Sequence, residues 1–273
     1  MDVIINADRE TNPSNSKPLK TQGSPFLNYL MIAGYPLQAL PLGSLLAHFH
    51  RLSGQWLIAN PIHWQATHND ATILATGDAL GLSDSDARVW FDEVAACLLE
   101  LGLNMYYHDA TTWLVQVDTM PPCISPAPHQ IMHHSLMPFL STMDNTGAWP
   151  RILTELQMLL SSHRYHQQHS QACPVNGVWF SGGGVFDINK TQPVMTDSPE
   201  LLQGCAWMSA FSPQIWQALP HNKREKTVLW MNNPETLAPL QKNFHSHTVQ
   251  WYWHNTAYCQ PKKSWFSRFM NFR

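Results

Sequence analysis

Charge is what this chain has least of. Only 13% of its 273 residues are Asp, Glu, Lys or Arg, with 16 basic and 19 acidic side chains, about half the usual share. A formal net charge of −3 makes no basic field, so no nucleic-acid partner is expected. No apolar run nears the roughly 18 residues of a membrane span, so no transmembrane segment is expected. The opening "MDVIINADRE" has no basic stretch followed by an apolar one, so it reads as no secretory leader and a cytoplasmic setting is expected. Cys97, Cys123, Cys173, Cys205 and Cys259 form no C-x-x-C. That speaks against a zinc knuckle or redox dithiol and suits reduced thiols packed in a core. Also missing are G-x-G-x-x-G, a Gly-Lys-Ser/Thr phosphate loop and the G-x-S-x-G of serine hydrolases.

What is there is apolar and rich in histidine: 44% hydrophobic residues, 15 His and 12 Trp. Residues 1–24 read as a flexible polar lead-in. An N-terminal α+β part follows over 25–118. In it, Pro36 and Pro41 split an apolar stretch into two short helices. Trp56–Ala59 and Ala71–Ala75 read as strands, with Pro61 in a loop or at an edge. Ser83 caps a helix whose stripe is Trp90, Val94, Cys97, Leu98 and Leu101, and Gly102 closes it. A hairpin comes next, "NMYYH" against "WLVQVD". The segment 119–129, "TMPPCISPAPH", holds four prolines and reads as a loop or linker, the best candidate boundary. A C-terminal α/β part over 130–261 opens with a helix begun by Pro150 and continuing through "SSHRYHQQHSQ". After it come "GVWFSGG", "SPELLQGCAWMSAFSPQIWQALP", "TVLWMN", "PETLAPLQKNF" and "TVQWYWH" in β-α-β-α-β order. A basic aromatic tail occupies 262–273. The class is therefore α/β or α+β: a mixed sheet with flanking helices, a hairpin–helix–hairpin part preceding a β-α-β-α-β part.

Four features carry candidate chemistry. Gly182, Gly183 and Gly184 are either a sharp turn that lets backbones approach closely or an anion-binding nest. They are not a nucleotide loop, because "VFDINKTQPV" after them opens no helix. On a continuous helix His163, His166 and His169 would form a ridge, either a solvated face or ligands for a divalent metal. Glu155 lies two turns back, about 12 Å along such a helix. His63, with His68 and Asp70 nearby, is either a structural histidine or an acid–base group. The tail places Lys262, Lys263, Arg268 and Arg273 among Trp265, Phe266, Phe269 and Phe272. Such a segment docks on its own domain, grips a partner or touches an anionic membrane peripherally.

"WLIANPIHWQA", "LTELQMLLSSH" and "PVNGVWFSGGG", in that order, resemble the marks of a bacterial cofactor-independent phosphoglycerate mutase-like family, also labelled RpfE-type regulatory proteins. The resemblance spans about residues 35–269, and N-x-x-W-x-x-G-G-G is its most specific block. It carries over Pro61 and His63, then Glu155, Gln157 and His163, then Asn176, Trp179, Gly182, Gly183 and Gly184. The chain departs from the family at Asn60, where an Asp is usual, and at "YHQQHSQ", where an Asn/Arg-bearing segment is usual. Two-metal phosphoryl transfer requires clustered Asp and His ligands. This chain has neither an Asp-Gly after an early strand nor an Asp-His-Gly cluster. The resemblance thus implies a protein that binds a small anionic or phosphorylated ligand, or a protein partner, with little or no mutase activity. His63, Glu155 and His163 would be the catalytic candidates, and Asn176, Gln157 and Gly182–Gly184 the ligand contacts. A metal-dependent phosphohydrolase or phosphomutase is one alternative, and a regulatory protein acting through its tail is the other. The leading reading expects His63, Glu155, His163, Asn176 and the glycines to converge on one site, and the metal-dependent alternative expects a metal near His63, Glu155 or the 163–169 ridge.

Overall fold

The computed structural model describes residues 1–36, 39–168, 173–190, 193–197, 216–218, 228–236 and 247–262. The architecture is mixed α/β, with sheets flanked by helices. The chain divides into two compact units, one made of Met1–Tyr35 with Asp187–Arg273 and the other of Pro36–Phe186.

The first unit is built from both ends of the chain. Its elements are β1 (Asp2–Ile5), β2 (Lys17–Leu19) and α1 (Pro25–Ile32), and later β8 (Val194–Thr196), β9 (Trp216–Ala218), β10 (Val228–Met231), β11 (Val249–Tyr252) and β12 (Ala257–Gln260). Sheet order is β2-β12-β11-β1-β10-β8-β9. The run β11-β1-β10-β8-β9 is parallel, while β12 and β2 add antiparallel strands at one edge. A parallel strand inside a sheet is covered on both faces and reads as a continuous apolar run. "VII" of β1 and "VLWM" of β10 do so, and all seven residues are buried. Residues 1–24 are thus no flexible lead-in, since they supply the central strand β1 and the edge strand β2. Of the helix expected over 198–220, the described residues Trp216–Ala218 instead form strand β9, paired with β8; the rest of that segment and the tail beyond Lys262 lie outside the described residues.

The second unit runs through α2 (Leu42–Phe49), β3 (Trp56–Ala66), β4 (Ala71–Thr76), α3 (Asp84–Glu100), β5 (Met105–Asp109), β6 (Thr112–Gln116), α4 (Pro128–Ile131), α5 (Met137–Leu140), α6 (Ala148–Ser161), α7 (Tyr165–Gln168) and β7 (Gly177–Ser181). Its sheet is antiparallel, in order β4-β3-β6-β5, with β7 also on β3. Helix α3 begins as its sequence dictates: Ser83 accepts the Asp86 N–H, and Gly102 past its end takes φ +77°. Trp90, Val94 and Leu98 are wholly buried, joined in one core by Trp113, Trp149, Trp179 and Phe180.

Pro61 lies inside β3, not in a loop. On one edge of β3 the partner is β6 at Trp56–Ala59 and β4 at Ile62–Ala66. Proline falls at the changeover, where its missing N–H interrupts neither of those ladders. The proline-rich 119–129 segment is no boundary, because it lies inside this unit. The indoles of the buried Trp149 and Trp179 donate to Pro121 O and Pro126 O, each at 2.9 Å. A buried indole N–H is stabilised by an acceptor, and this segment provides two of them.

Candidate functional site

The residues singled out in the second unit have structural partners; the fold brings His63 and Asn176 together beside the start of β7 and puts the glycines at that strand's other end. Asn176 stands just before β7. Its amide accepts the Trp64 N–H at 2.9 Å and donates to Trp64 O at 2.8 Å. The side chain therefore imitates one more residue of a β-ladder, beside the register shift that β3 makes between His63 and Trp64. His63 turns Nδ1 to Pro174 O at 2.8 Å. Asp70 accepts instead from Ser135 Oγ and the Ala71 N–H.

At the other end of β7, five strand residues or about 16 Å away, the glycines meet α2. Gly182 takes φ +75° and offers its carbonyl to the Gly43 N–H at 3.0 Å. Gly184 donates to Leu40 O and accepts from Ser44 Oγ at 2.8 Å. A Cβ on Gly183 would lie 2.6 Å from Cys123 O, and one on Gly184 2.0 Å from Ala39 O. Of the two readings of this turn, close backbone approach matches the geometry. Its carbonyl caps the first turn of α2, whose amides would otherwise be orphaned.

Glu155 pairs with Arg151 one turn back, at 2.9 Å. The Gln157 carbonyl accepts Ser161 Oγ. The expected His163–His166–His169 ridge needs one continuous helix, but α6 ends at Ser161 and α7 starts at Tyr165. Ser161 and Ser162 bond back to carbonyls of the last turn, and the His166 imidazole donates Nε2–H to Leu160 O at 2.8 Å. The chain then folds over Trp90. The rings of His163, Tyr165 and His166 lie 5.3, 5.3 and 4.8 Å from its indole. His163 Nε2 faces Glu93 at 3.4 Å, and Tyr165 donates to Asp86 at 2.6 Å. His169 lies outside the described residues. Among the described residues no group of three or more His, Cys, Asp or Glu side chains could hold a metal ion. No helix among them is long and apolar enough to cross a membrane.

Two polar constellations went unmarked in the sequence. The first lies in the first unit, where the carboxyl ends of four parallel strands bring polar side chains together. Asn6, Asp8 and Arg9 follow β1, Asp197 follows β8, Asn232 and Asn233 follow β10, and His254 and Asn255 follow β11. Asn6 donates to Asn232 Oδ1 at 3.2 Å and its own Oδ1 accepts His254 Nε2–H at 2.8 Å. The Asp197 carboxylate takes the Asn232 and Asn233 N–H groups, one on each oxygen. Asn255 brackets Arg9, accepting its N–H and donating to its carbonyl. The Arg9 guanidinium stacks on Trp253 and Tyr258, at 5.1 and 5.4 Å, and donates Nε–H to Thr11 O. Among the described residues no carboxylate pairs with it. The signal was a polar cluster directly after an apolar run, three times over: "NADR", "NN" and "HN".

The second constellation lies in the second unit, between the end of α2 and β5. Tyr106 Oη meets His50 Nδ1 at 3.2 Å, His50 Nε2 meets His108 Nδ1 at 2.8 Å, and His108 Nε2 faces Asp109 Oδ2 at 3.6 Å. Burial, and secondarily the neighbouring His108, hold the His50 imidazole below its usual pKa. No short-range motif announces this chain, because His50 and His108 are 58 residues apart.

No protein-family model matches this chain, and no curated protein matches it. Among solved structures, the chain is similar to a cofactor-independent phosphoglycerate mutase from Thermoplasma acidophilum DSM 1728, with 13% identity and a TM-score of 0.36 over 94% of this chain and 88% of that one. It is also similar to the PH0037 protein from Pyrococcus horikoshii, with 9% identity and a TM-score of 0.38 over 94% of this chain and 86% of that one. Both scores are too low to establish a shared fold.

Proposed function

We propose that the first unit binds a small anionic ligand, phosphorylated molecules included, at the carboxyl edge of its parallel sheet, without mutase turnover. The observation that carries the reading is Arg9. Its guanidinium lies over two aromatic rings and pairs with no carboxylate among the described residues, while Asn255 fixes the Arg9 backbone through its N–H and carbonyl. A preplaced cation beside amide donors suits an anion. Its position suits one too, since open α/β sheets bind ligands outside the carboxyl ends of their strands.

The same edge is poorly made for a pair of divalent cations. Its donors are the neutral amides of Asn6, Asn232, Asn233 and Asn255, with the Asp8 carboxylate 4.0 Å from His254 Nδ1. The carboxylate of Asp197 is engaged on both oxygens by backbone N–H groups. Metal-assisted phosphoryl transfer needs clustered anionic ligands instead, and among the described residues no group of three or more His, Cys, Asp or Glu could hold a metal ion.

Calorimetric titration with inorganic phosphate and with a three-carbon phosphomonoester tests the reading. Binding that weakens at least tenfold in Arg9→Ala is expected, with no turnover when Mn²⁺ is supplied. Equal binding by Arg9→Ala, or none by the parent protein, would remove the anion site. Mn²⁺-dependent turnover would point to a phosphohydrolase or phosphomutase instead.

A further inference from the structure

The Tyr106–His50–His108–Asp109 chain joins His50, the residue that caps the end of α2, to β5. We propose that it is an acid-released latch: the two imidazoles hold α2 to β5 while the pair carries at most one extra proton, and part when both rings are charged.

The direction of the chain follows from its end. Asp109 is fixed because Oδ1 accepts both the N–H and the hydroxyl of Thr111. Its other oxygen lies 3.6 Å from His108 Nε2, beyond hydrogen-bond length, and its negative charge there favours a proton over a lone pair on Nε2. In the neutral ring that leaves His108 Nδ1 as an acceptor, so the proton between the rings belongs to His50 Nε2. His50 Nδ1 then accepts from the Tyr106 hydroxyl. Every ring nitrogen has a counterpart, all pointing toward the carboxylate. The reverse order would set a lone pair of His108 against Asp109.

One proton can join without breaking the link. It enters at His50 Nδ1, and the Tyr106 hydroxyl turns to accept it. A second would set N–H against N–H across 2.8 Å, and two like charges that close cannot share the contact. From α2 and the turn after it, His48, His50 and Arg51 are the titratable or charged groups. From β5 they are Tyr106, Tyr107, His108 and Asp109, of which Tyr107 donates its hydroxyl to Asp84 on α3. Strand β3 has only His63, bonded to Pro174 O, and β6 has none.

The released element is already under strain. Arg51 follows the end of α2 at φ +58°, a conformation that favours glycine. Its N–H bonds His48 O, and the Leu52 N–H bonds Ala47 O at 2.8 Å. These are the two bonds of a Schellman cap closed on an arginine. Freed from β5, this cap is the first part of α2 to open.

The test is an imidazole ¹⁵N NMR titration of the full chain, with hydrogen exchange read at each pH. At neutral pH both rings are expected as the Nε2–H tautomer. Two steps more than about one pH unit apart should follow. At the lower step the His50 and Leu52 amides should lose protection while β3 amides keep theirs. In His108→Gln the lower step and its loss of protection should both vanish. Independent titration within one unit, the Nδ1–H tautomer on His108, or unchanged His50 and Leu52 protection would each overturn the latch. If His108→Gln does not fold, the tautomers and the step separation of the unaltered protein still decide.

Discussion

Gly184→Ala tests whether the triple glycine is a packing device or an anion nest. The backbone there is not left-handed, so strain plays no part and sterics alone decide. A Cβ would stand 2.0 Å from Ala39 O, 2.8 Å from Ala39 C and 2.9 Å from Leu40 C. All three are main-chain atoms that cannot rotate away, and the first is more than an ångström inside ordinary contact. Relief means moving the strand end away from residues 39–40. Overpacking of this kind costs about 1–3 kcal/mol. The movement also stretches the Gly184 N–H bond to Leu40 O and the Ser44 bond to Gly184 O, at about 1 kcal/mol each. The loss should reach about 3–5 kcal/mol. Gly81→Ala is the control: φ is +62° but nothing lies within 4 Å, so only the left-handed penalty of about 1–2 kcal/mol applies. Urea titration read by hydrogen-exchange mass spectrometry on β3 and β7 peptides reports this unit alone. A Gly184→Ala loss no larger than that of Gly81→Ala would refute the packing argument. Stabilisation of the parent by phosphate at these same peptides would restore the nest.

Asn176→Ala should cost about 2–3 kcal/mol, because it leaves both the N–H and the carbonyl of Trp64 without their partner; a urea midpoint shift under a third of that would show the ladder mimicry to be dispensable. Asp144 gathers N–H groups of Thr146, Gly147 and Trp149 at the start of α6; burial raises its pKa, but these bonds and the Thr146 hydroxyl outweigh burial and hold it below 3.8. Its contribution is therefore complete above 3.8 and fades as pH falls through the lower folded value, so Asp144→Asn should flatten the acid limb of stability against pH, as urea midpoints across that range will show. Deleting residues 1–24 should abolish the first unit's sheet, since Val3, Ile4 and Ile5 are each 0% exposed and fully burying such side chains is worth about 1.5–3 kcal/mol apiece; circular dichroism that keeps the parent's strand content would contradict this.

Local signals were legible where the chemistry is local. Ser83 with Asp86, and Gly102 at the far end, bounded α3 because capping involves neighbours in sequence. The hairpin of β5 and β6 was legible for the same reason. What failed depended on partners far away. Residues 1–24 look like a lead-in because a strand as short as "DVII" has no periodicity of its own, and its partners β10 and β11 begin more than two hundred residues later. Pro61 looks like a loop residue until β3 is seen to exchange one neighbour for another at that point. The prolines of 119–129 look like a linker because their carbonyls' partners, Trp149 and Trp179, are 28 and 53 residues downstream. The expected shared site failed for a reason of scale. Asn176 and Gly182 are close in sequence, but extended chain advances about 3.3 Å per residue, so a β-strand drives apart residues that a helix would gather. Side chains from distant segments meet instead at the carboxyl ends of neighbouring parallel strands, where each strand has just left the sheet and its next polar residue is free to turn toward its neighbours. That is where Asn6, Arg9, Asp197, Asn232 and His254 stand, and a reader of sequence finds such a place only by looking one residue past every buried strand.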